Sequence, residues 1–144
     1  MNDMITISSS DVRKDWSSVM DSVIRRKPAF IKRTRDYMML CTIDMVSQLV
    51  ADVNYTAKQF QEEDGSVTLS LTEMDIVSNG KDLQSAKETL AKDIIDYAED
   101  YYSDFEKYSK APNRRSHLPY VIKALIAKSA KEVEDAIVCR DGRN

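Results

Sequence analysis

Glycine and proline are scarce in this chain, with three of each among 144 residues. Sandwiches and barrels with many strands need turn residues at short intervals, so this scarcity argues against them and favours long helices. The apolar fraction of 42% and the charged fraction of 31% are typical of a folded globular protein. We therefore expect a folded chain that is mostly helical.

Residues that carry catalysis and metal binding are equally few. The two cysteines, Cys41 and Cys139, lie far apart and match no zinc-binding or thiol-exchange spacing. The only histidine, His117, has no ligand or nucleophile beside it in the sequence, which predicts a capping or surface role. No Gly-rich phosphate loop is present. The sequence thus predicts no catalytic residues, no metal site and no cofactor, and a protein that is not an enzyme.

Long apolar runs are absent as well. No segment approaches the roughly 20 apolar residues that span a bilayer. The opening "MNDMITISSS" lacks the basic and apolar regions of a secretion signal. We expect a cytoplasmic protein without a membrane partner.

What the sequence does contain is an uneven distribution of charge. Residues 1–50 carry eight Lys and Arg against six Asp and Glu, whereas residues 51–144 carry thirteen against eighteen. Six basic residues and no acid fall within 25–35. The basic residues at 25–27 end a predicted helix, where cations offset the helix dipole. Three cations remain on the segment that follows: Lys32, Arg33 and Arg35.

Local patterns in the first sixty residues predict the order strand, helix, hairpin, helix. Alternation in "MITIS" predicts a strand at 4–8, and Ser8 is placed to cap a helix whose apolar stripe includes Trp16. The runs "AFIKR" and "YMMLCT" flank a three-residue turn at 34–36 and predict a β-hairpin. Apolar residues at helical spacing then predict a second helix over 43–61.

A polar run, "QEEDGS" at 61–66, predicts the boundary between two domains, 1–61 and 62–144. The patterns beyond it predict four elements: a strand at 67–72, a turn at 78–80, and helices at 82–108 and 118–137. The expected fold class is α+β. A β-α-β-β-α module precedes a mostly helical C-terminal lobe with one or two strands.

The helix predicted at 82–108 carries acids on one face and an aromatic stripe on the other. The acids indicate a solvated or partner-facing surface. The stripe has two interpretations, core packing between the last two helices, which is favoured, and a contact surface for a protein partner. Its candidate contact residues are Tyr97, Tyr101, Tyr102 and Phe105.

A string of short motifs runs through "ITISSSDVRKDWSSVMDSVIRRKPAFIKRTRDYMMLCTIDMVSQLV". It resembles the prevent-host-death (Phd/YefM) antitoxin family, in which a strand leads to an S/T-x-A-R-x-x-[LF] helix and then to a strand ending in I-T-[RK]. Arg13 stands at the helix arginine, Trp16 at the bulky position after it, and Lys32-Arg33 at the strand end. Two departures are Val12 in place of alanine and a hairpin turn without glycine.

The resemblance implies a function. Members of this family dimerise through this module, bind the operator of their own operon with it and neutralise a toxin with the segment that follows. The implied partners are therefore operator DNA, a cognate protein toxin and a second copy of the chain. Arg13 and Arg33 are the implied operator contacts, with Lys32 and Arg35 as neighbours. Toxin contact would fall on the C-terminal lobe, where the aromatic stripe lies.

Residues 64–102 resemble, more faintly, the C-terminal part of a HicB-type antitoxin. Gly80, Asp82, Ala86 and Leu90 match a Gly turn followed by a helix with E-A-x-x-x-[AL] spacing, whereas the family's Pro-Gly is absent. Two hypotheses remain open. The chain is a type II antitoxin that represses its own operon, or it is an adaptor that binds proteins through its C-terminal helices and never touches DNA.

Overall fold

The computed structural model describes residues 1–143 and divides the chain into two compact units, 1–49 and 50–144. This division precedes the one expected after residue 61. The polar run at 61–66 is not a linker, because it lies at the hairpin between two paired strands of the second unit. Each unit contains one sheet together with helices, so the predicted α+β class is confirmed.

The first unit contains a three-stranded sheet, with β2 between β1 and β3. β2 is parallel to β1 and antiparallel to β3. The elements in chain order are β1 (Thr6–Ser8), α1 (Ser9–Lys14), α2 (Trp16–Arg25), β2 (Ala29–Arg33), β3 (Asp36–Leu40) and α3 (Ile43–Leu49). The predicted strand, hairpin and helix order is confirmed, although the first helix is divided in two.

The break in the first helix occurs at Asp15. Ser8 caps α1 as predicted, its hydroxyl accepting a hydrogen bond from a first-turn amide at 3.1 Å. Asp15 then leaves helical geometry, with φ −126° and ψ 41°, and α2 begins at the next residue. Val12 before the break is buried, whereas 56% of Trp16 after it is exposed. The expectation that Trp16 belongs to a buried apolar stripe is therefore wrong.

The hairpin turn is one residue shorter than predicted. The β2–β3 ladder extends to the pair Arg33 and Asp36, which leaves only Thr34 and Arg35 in the turn. Thr34 has φ +57°, in the positive-φ region that favours glycine, whereas Arg35 has no positive φ. Left-handed backbone geometry costs a residue with a Cβ about 1–2 kcal/mol, because the Cβ approaches the backbone, and glycine has no such cost. The turn without glycine therefore forms, with backbone strain at Thr34.

The second unit contains a four-stranded sheet in the order β6-β5-β4-β7. β4 and β7 are parallel, and the other neighbours are antiparallel. The strands are β4 (Tyr55–Gln61), β5 (Val67–Leu71), β6 (Val77–Gly80) and β7 (Ile137–Asp141). The helices are α4 (Leu83–Ser103), α5 (Phe105–Lys110), α6 (Leu118–Ile126) and α7 (Ala130–Asp135).

Several predicted elements of this unit were wrong. The helix expected over 43–61 ends at Leu49, and its second half is β4, in which Tyr55 and Ala57 alternate with exposed or half-buried residues. The predicted turn at 78–80 is part of β6, and the last predicted helix divides into α6, α7 and β7. The second unit thus has four strands, and three of them, β5, β6 and β7, lie in the lobe that was predicted at 62–144 with one or two. The pairing of β7 with β4 spans most of the unit's sequence and leaves no local signal.

A core of sixteen buried residues joins the sheet to α4 and to the helices after it. Tyr55, Leu90 and Ile94 are fully buried in it. α4 approaches β6 so closely that a Cβ on Gly80 would lie 2.3 Å from the Ala86 nitrogen, so only glycine fits there. The second unit therefore has a hydrophobic core of its own.

The longest helix of the described chain is α4, with 21 residues. Its buried residues face the core, and its other face is polar. Within residues 1–143, no helix combines the length and apolar character needed to cross a membrane.

Candidate nucleic-acid interface

Two arginines of the first unit line a single depression on its surface. The last pair in the parallel β1–β2 ladder is Ser8 with Lys32, so the start of α1 lies beside the end of β2 at Arg33. Arg13 lies about one turn along α1. The depression measures about 300 Å³ and is lined by Ser9, Ser10, Arg13 and Arg33.

Both guanidinium groups are available to bind an anion. Arg13 and Arg33 are exposed, and neither belongs to an ion pair among residues 1–143. The lining adds the hydroxyls of Ser9 and Ser10 and includes no carboxylate. Arginine and serine are side chains that hold phosphate oxygens in protein–DNA complexes. The depression therefore combines charge and donors suited to a phosphate.

Lys32 differs from its neighbour Arg33 because its charge is paired. Its Nζ donates to a carboxylate oxygen of Asp3 at 2.8 Å, and the Tyr37 hydroxyl donates to the other oxygen at 2.7 Å. The hydrogen bond between Lys32 and Asp3 lowers the pKa of Asp3 and raises the pKa of Lys32. An exposed pair of this kind is weak. Lys32 must nevertheless leave Asp3 before it can contact another anion.

Arg35 occupies the second position of the hairpin turn and is exposed. It does not line the Arg13–Arg33 depression. The structure thus separates the four predicted basic residues into three groups. Two share a depression, one is paired with Asp3, and one lies at the hairpin tip.

Sequence reasoning missed three residues at this surface. Ser9 and Ser10 line the depression described above, and Trp16 lines a second one of about 390 Å³ with Ser9, Val12 and Arg13. The two depressions share Ser9 and Arg13, so they form one continuous surface. The serine run before Arg13 was visible in the sequence, but its position beside β2 depends on strand pairing.

The four aromatic residues proposed for a protein contact divide into two pairs in the second unit. Tyr101 is fully buried, and its hydroxyl donates to the Arg114 carbonyl at 3.1 Å. Tyr97 is half-buried against Tyr101 and Tyr108. Tyr102 and Phe105 are 67% and 39% exposed. Only the second pair is accessible to a partner, and the first pair belongs to the core or its edge.

His117 is buried, with 5% of its surface exposed, so the expected capping or surface role is wrong. Its Nδ1 lies 2.6 Å from the Tyr97 hydroxyl, whose oxygen accepts a hydrogen bond from Arg114 Nη1 at 3.1 Å. His117 Nδ1 and the Tyr97 hydroxyl thus share one hydrogen bond, whose direction depends on the imidazole tautomer. Burial and then the charge of Arg114 lower the pKa of His117. The histidine therefore serves packing and hydrogen bonding.

Residues that could hold a metal ion do not converge in the described part of the chain. Residues 1–143 contain no group of three or more His, Cys, Asp or Glu side chains with suitable placement. Cys41 and Cys139 are both unbridged thiols and half-buried. Burial raises the pKa of Cys139, which disfavours its thiolate.

Comparison with known proteins agrees with the fold and with the antitoxin class of the resemblance, and it does not specify the Phd/YefM subfamily. A crystal structure of an antitoxin from Syntrophomonas wolfei subsp. wolfei superposes with a TM-score of 0.90 at 32% identity, over 94% of this chain and 98% of that one. No curated protein matches the sequence. The PHD-like family model, described as antitoxin of toxin-antitoxin, RelE / RelB, TA system, matches residues 2–139. The chain therefore belongs to this family of toxin-antitoxin antitoxins.

Proposed function

We propose that the chain is a Phd/YefM-type antitoxin that represses its own operon by binding operator DNA and neutralises its toxin by direct binding. The observation that carries the DNA half is the Arg13–Arg33 depression, whose two guanidinium groups form no ion pair with any residue in 1–143 and whose lining has no carboxylate. It acts in the cytoplasm, without catalysis. The cognate toxin is a small protein encoded beside it.

Operator binding begins with phosphate contacts. Arg13 and Arg33 hold one or two backbone phosphates, and Ser9 and Ser10 add hydroxyl donors. Arg35 extends from the hairpin tip toward the neighbouring backbone or a groove. Lys32 contributes least, because its ammonium already bonds Asp3.

A homodimer through the first unit accounts for its apolar surface. The buried apolar residues of this unit are few: Val12, Val23 and Ala29. Its exposed surface nevertheless includes Met4, Ile24 and Leu49, each more than half exposed. A small sheet with so little core is marginal alone, and a second copy would cover part of this surface. Dimeric repressors also match two operator half-sites.

Toxin binding falls on the second unit, whose excess of acids complements a basic partner. Tyr102 and Phe105 are exposed near the end of α4 and the start of α5, beside Asp104 and Glu106. Exposed aromatics provide the desolvated anchors of many interfaces, and the surrounding acids steer a basic partner.

The DNA half is tested by gel shift of the promoter fragment upstream of the gene. Arg33→Ala removes one cation that holds a phosphate, and it should weaken binding about fivefold at physiological salt. Arg25→Ala is the matched control, since it removes an exposed arginine at the end of α2 that lies outside the depression. No shift by the wild type would contradict operator binding.

The toxin half is tested by affinity measurement with the small protein encoded by the neighbouring gene. The double substitution Tyr102→Ala and Phe105→Ala should weaken that complex by at least tenfold, as expected for two interface anchors. Val138→Ala is the control, because Val138 is 44% exposed on β7. Unchanged affinity in the double variant would contradict toxin contact at Tyr102 and Phe105.

The second hypothesis, an adaptor that does not bind DNA, is favoured by the same exposed pair, Tyr102 and Phe105. It predicts a protein partner other than a toxin and no promoter shift. The two experiments above distinguish it from the antitoxin.

A further inference from the structure

The only tryptophan of the chain, Trp16, is 56% exposed. An indole is large and mostly apolar, and it stabilises a protein most when its surface is covered. In the first unit this side chain lies at the beginning of α2, and it lines a depression with Ser9, Val12 and Arg13. Within residues 1–143 more than half of the indole surface stays exposed to solvent, and a binding partner would bury it.

The surroundings of Trp16 indicate what that partner is. Its depression shares Ser9 and Arg13 with the depression that contains Arg33. The combined lining has two guanidinium groups, two hydroxyls, one indole and one valine, and no carboxylate. Such a surface suits a ligand that presents anionic and apolar groups side by side. In duplex DNA the phosphate and the deoxyribose or thymine methyl meet this description.

We infer that Trp16 is a nonpolar DNA contact, whose indole lies against a deoxyribose or base edge beside the phosphate held by Arg13 and Arg33. This inference rests on the proposed operator binding and adds a contact of different chemistry to it. Arginine and serine anchor the backbone, whereas the indole gains affinity by leaving water. The two kinds of contact therefore respond differently to salt.

A second copy of the chain is the other occupant to consider. In a two-fold dimer centred on this surface, the same patch faces itself. Arg13 and Arg33 would then oppose their own copies, and like charges across an interface cost free energy. The charge of the lining thus favours DNA at Trp16 and leaves the dimer contact to other apolar residues of the unit.

Because Trp16 is the only tryptophan, its fluorescence reports on this site alone. Titration of the full chain with the upstream promoter duplex should shift the emission to shorter wavelength or quench it, with the same midpoint as the gel shift. A duplex of unrelated sequence at matched length measures how far the response depends on sequence. In the absence of DNA, the emission should not change as the protein is diluted.

Substitution separates the indole contact from the ionic ones. Trp16→Ala should weaken promoter binding about tenfold, and Trp16→Phe should restore part of that affinity. The slope of log K against log salt should remain that of the wild type in both variants, whereas Arg33→Ala should reduce its magnitude by about one. Thermal unfolding of each variant checks that the fold is retained.

The outcomes are separable. Promoter binding by gel shift without any change in Trp16 emission would overturn this inference and leave operator binding intact. Emission that depends on protein concentration without DNA, and not on added duplex, would place Trp16 in a dimer contact and also overturn it. Absence of any promoter shift by the wild type would contradict both proposals.

Discussion

The two units of this protein differ in how much apolar surface they bury. The second unit has a core of sixteen buried residues, whereas the first buries only Val12, Val23 and Ala29 among its apolar residues. Eleven large hydrophobic residues of the first unit are exposed, against five in the described part of the second. The second unit thus has the core of an independent domain. We propose that a partner covers part of the exposed apolar surface of the first unit.

The largest expected effect comes from exchanging leucine for alanine in each unit. Leu90 is fully buried, and 67% of Leu49 is exposed. Leu90→Ala should lower the free energy of unfolding of the second unit by about 2–5 kcal/mol, because it leaves a cavity in a packed core. Leu49→Ala should cost less than about 0.5 kcal/mol within one copy. Urea unfolding measures both, and equal costs would contradict the contrast between the units.

A second prediction concerns protein concentration. If a second copy completes the first unit, the unfolding transition of that unit should move to lower denaturant as the protein is diluted, by mass action. The transition of the second unit should stay in place. Tryptophan emission from Trp16 follows the first unit and far-ultraviolet circular dichroism follows both. Identical transitions at all concentrations would argue that the first unit is complete as a monomer.

A third prediction concerns pH and affects the second unit alone. Burial lowers the pKa of His117 below its usual 6.5, so the unfolded chain binds a proton more readily than the folded one. The stability that this provides is fully present above pH 6.5 and is lost as the pH falls below it. His117→Gln should remove this part of the pH dependence. Parallel curves for variant and wild type from about pH 7.5 down to about pH 5.5 would contradict the prediction.

The smallest expected effect lies in the hairpin turn of the first unit. Thr34→Gly relieves a positive φ and should stabilise this unit by about 0.5–1 kcal/mol, since the gain exceeds the entropy that glycine adds to the unfolded chain. Thr42→Gly is the control. Thr42 accepts a hydrogen bond from the Met45 amide at 3.2 Å, so removing its hydroxyl should destabilise slightly. Thermal unfolding of the two variants should shift in opposite directions.

The two units also differed in how well local sequence predicted them. In the first unit the Ser8 cap and the β-branched or aromatic-rich runs around the hairpin act within a few residues, and both were predicted, although the turn is one residue shorter. In the second unit the segment Tyr55–Gln61 carries apolar residues that fit a helical period and an alternating one. The segment is a strand that pairs with Val67–Leu71 on one side and with Ile137–Asp141 on the other, and the second pairing spans about eighty residues of chain.

The candidate site was predicted in part for the same reason. The family resemblance implies Arg13 and Arg33 as operator contacts, and their shared depression follows from the parallel pairing of β1 with β2. No sequence pattern indicated that Asp3 would pair with Lys32, because the two residues meet only when the N-terminal segment lies against the hairpin. Burial of Trp16 was wrongly expected from one continuous helix. The helix breaks at Asp15, and no proline or glycine there indicates the break in the sequence.

The most direct test of operator binding through the Arg13–Arg33 depression compares Arg33→Ala with Lys32→Ala in promoter binding across a salt series. These neighbours carry the same charge, but Arg33 is unpaired and Lys32 is bound to Asp3. We predict that Arg33→Ala reduces the magnitude of the salt slope by about one, whereas Lys32→Ala leaves it close to that of the wild type. Equal slopes for the two variants, or undiminished binding by Arg33→Ala, would contradict this prediction.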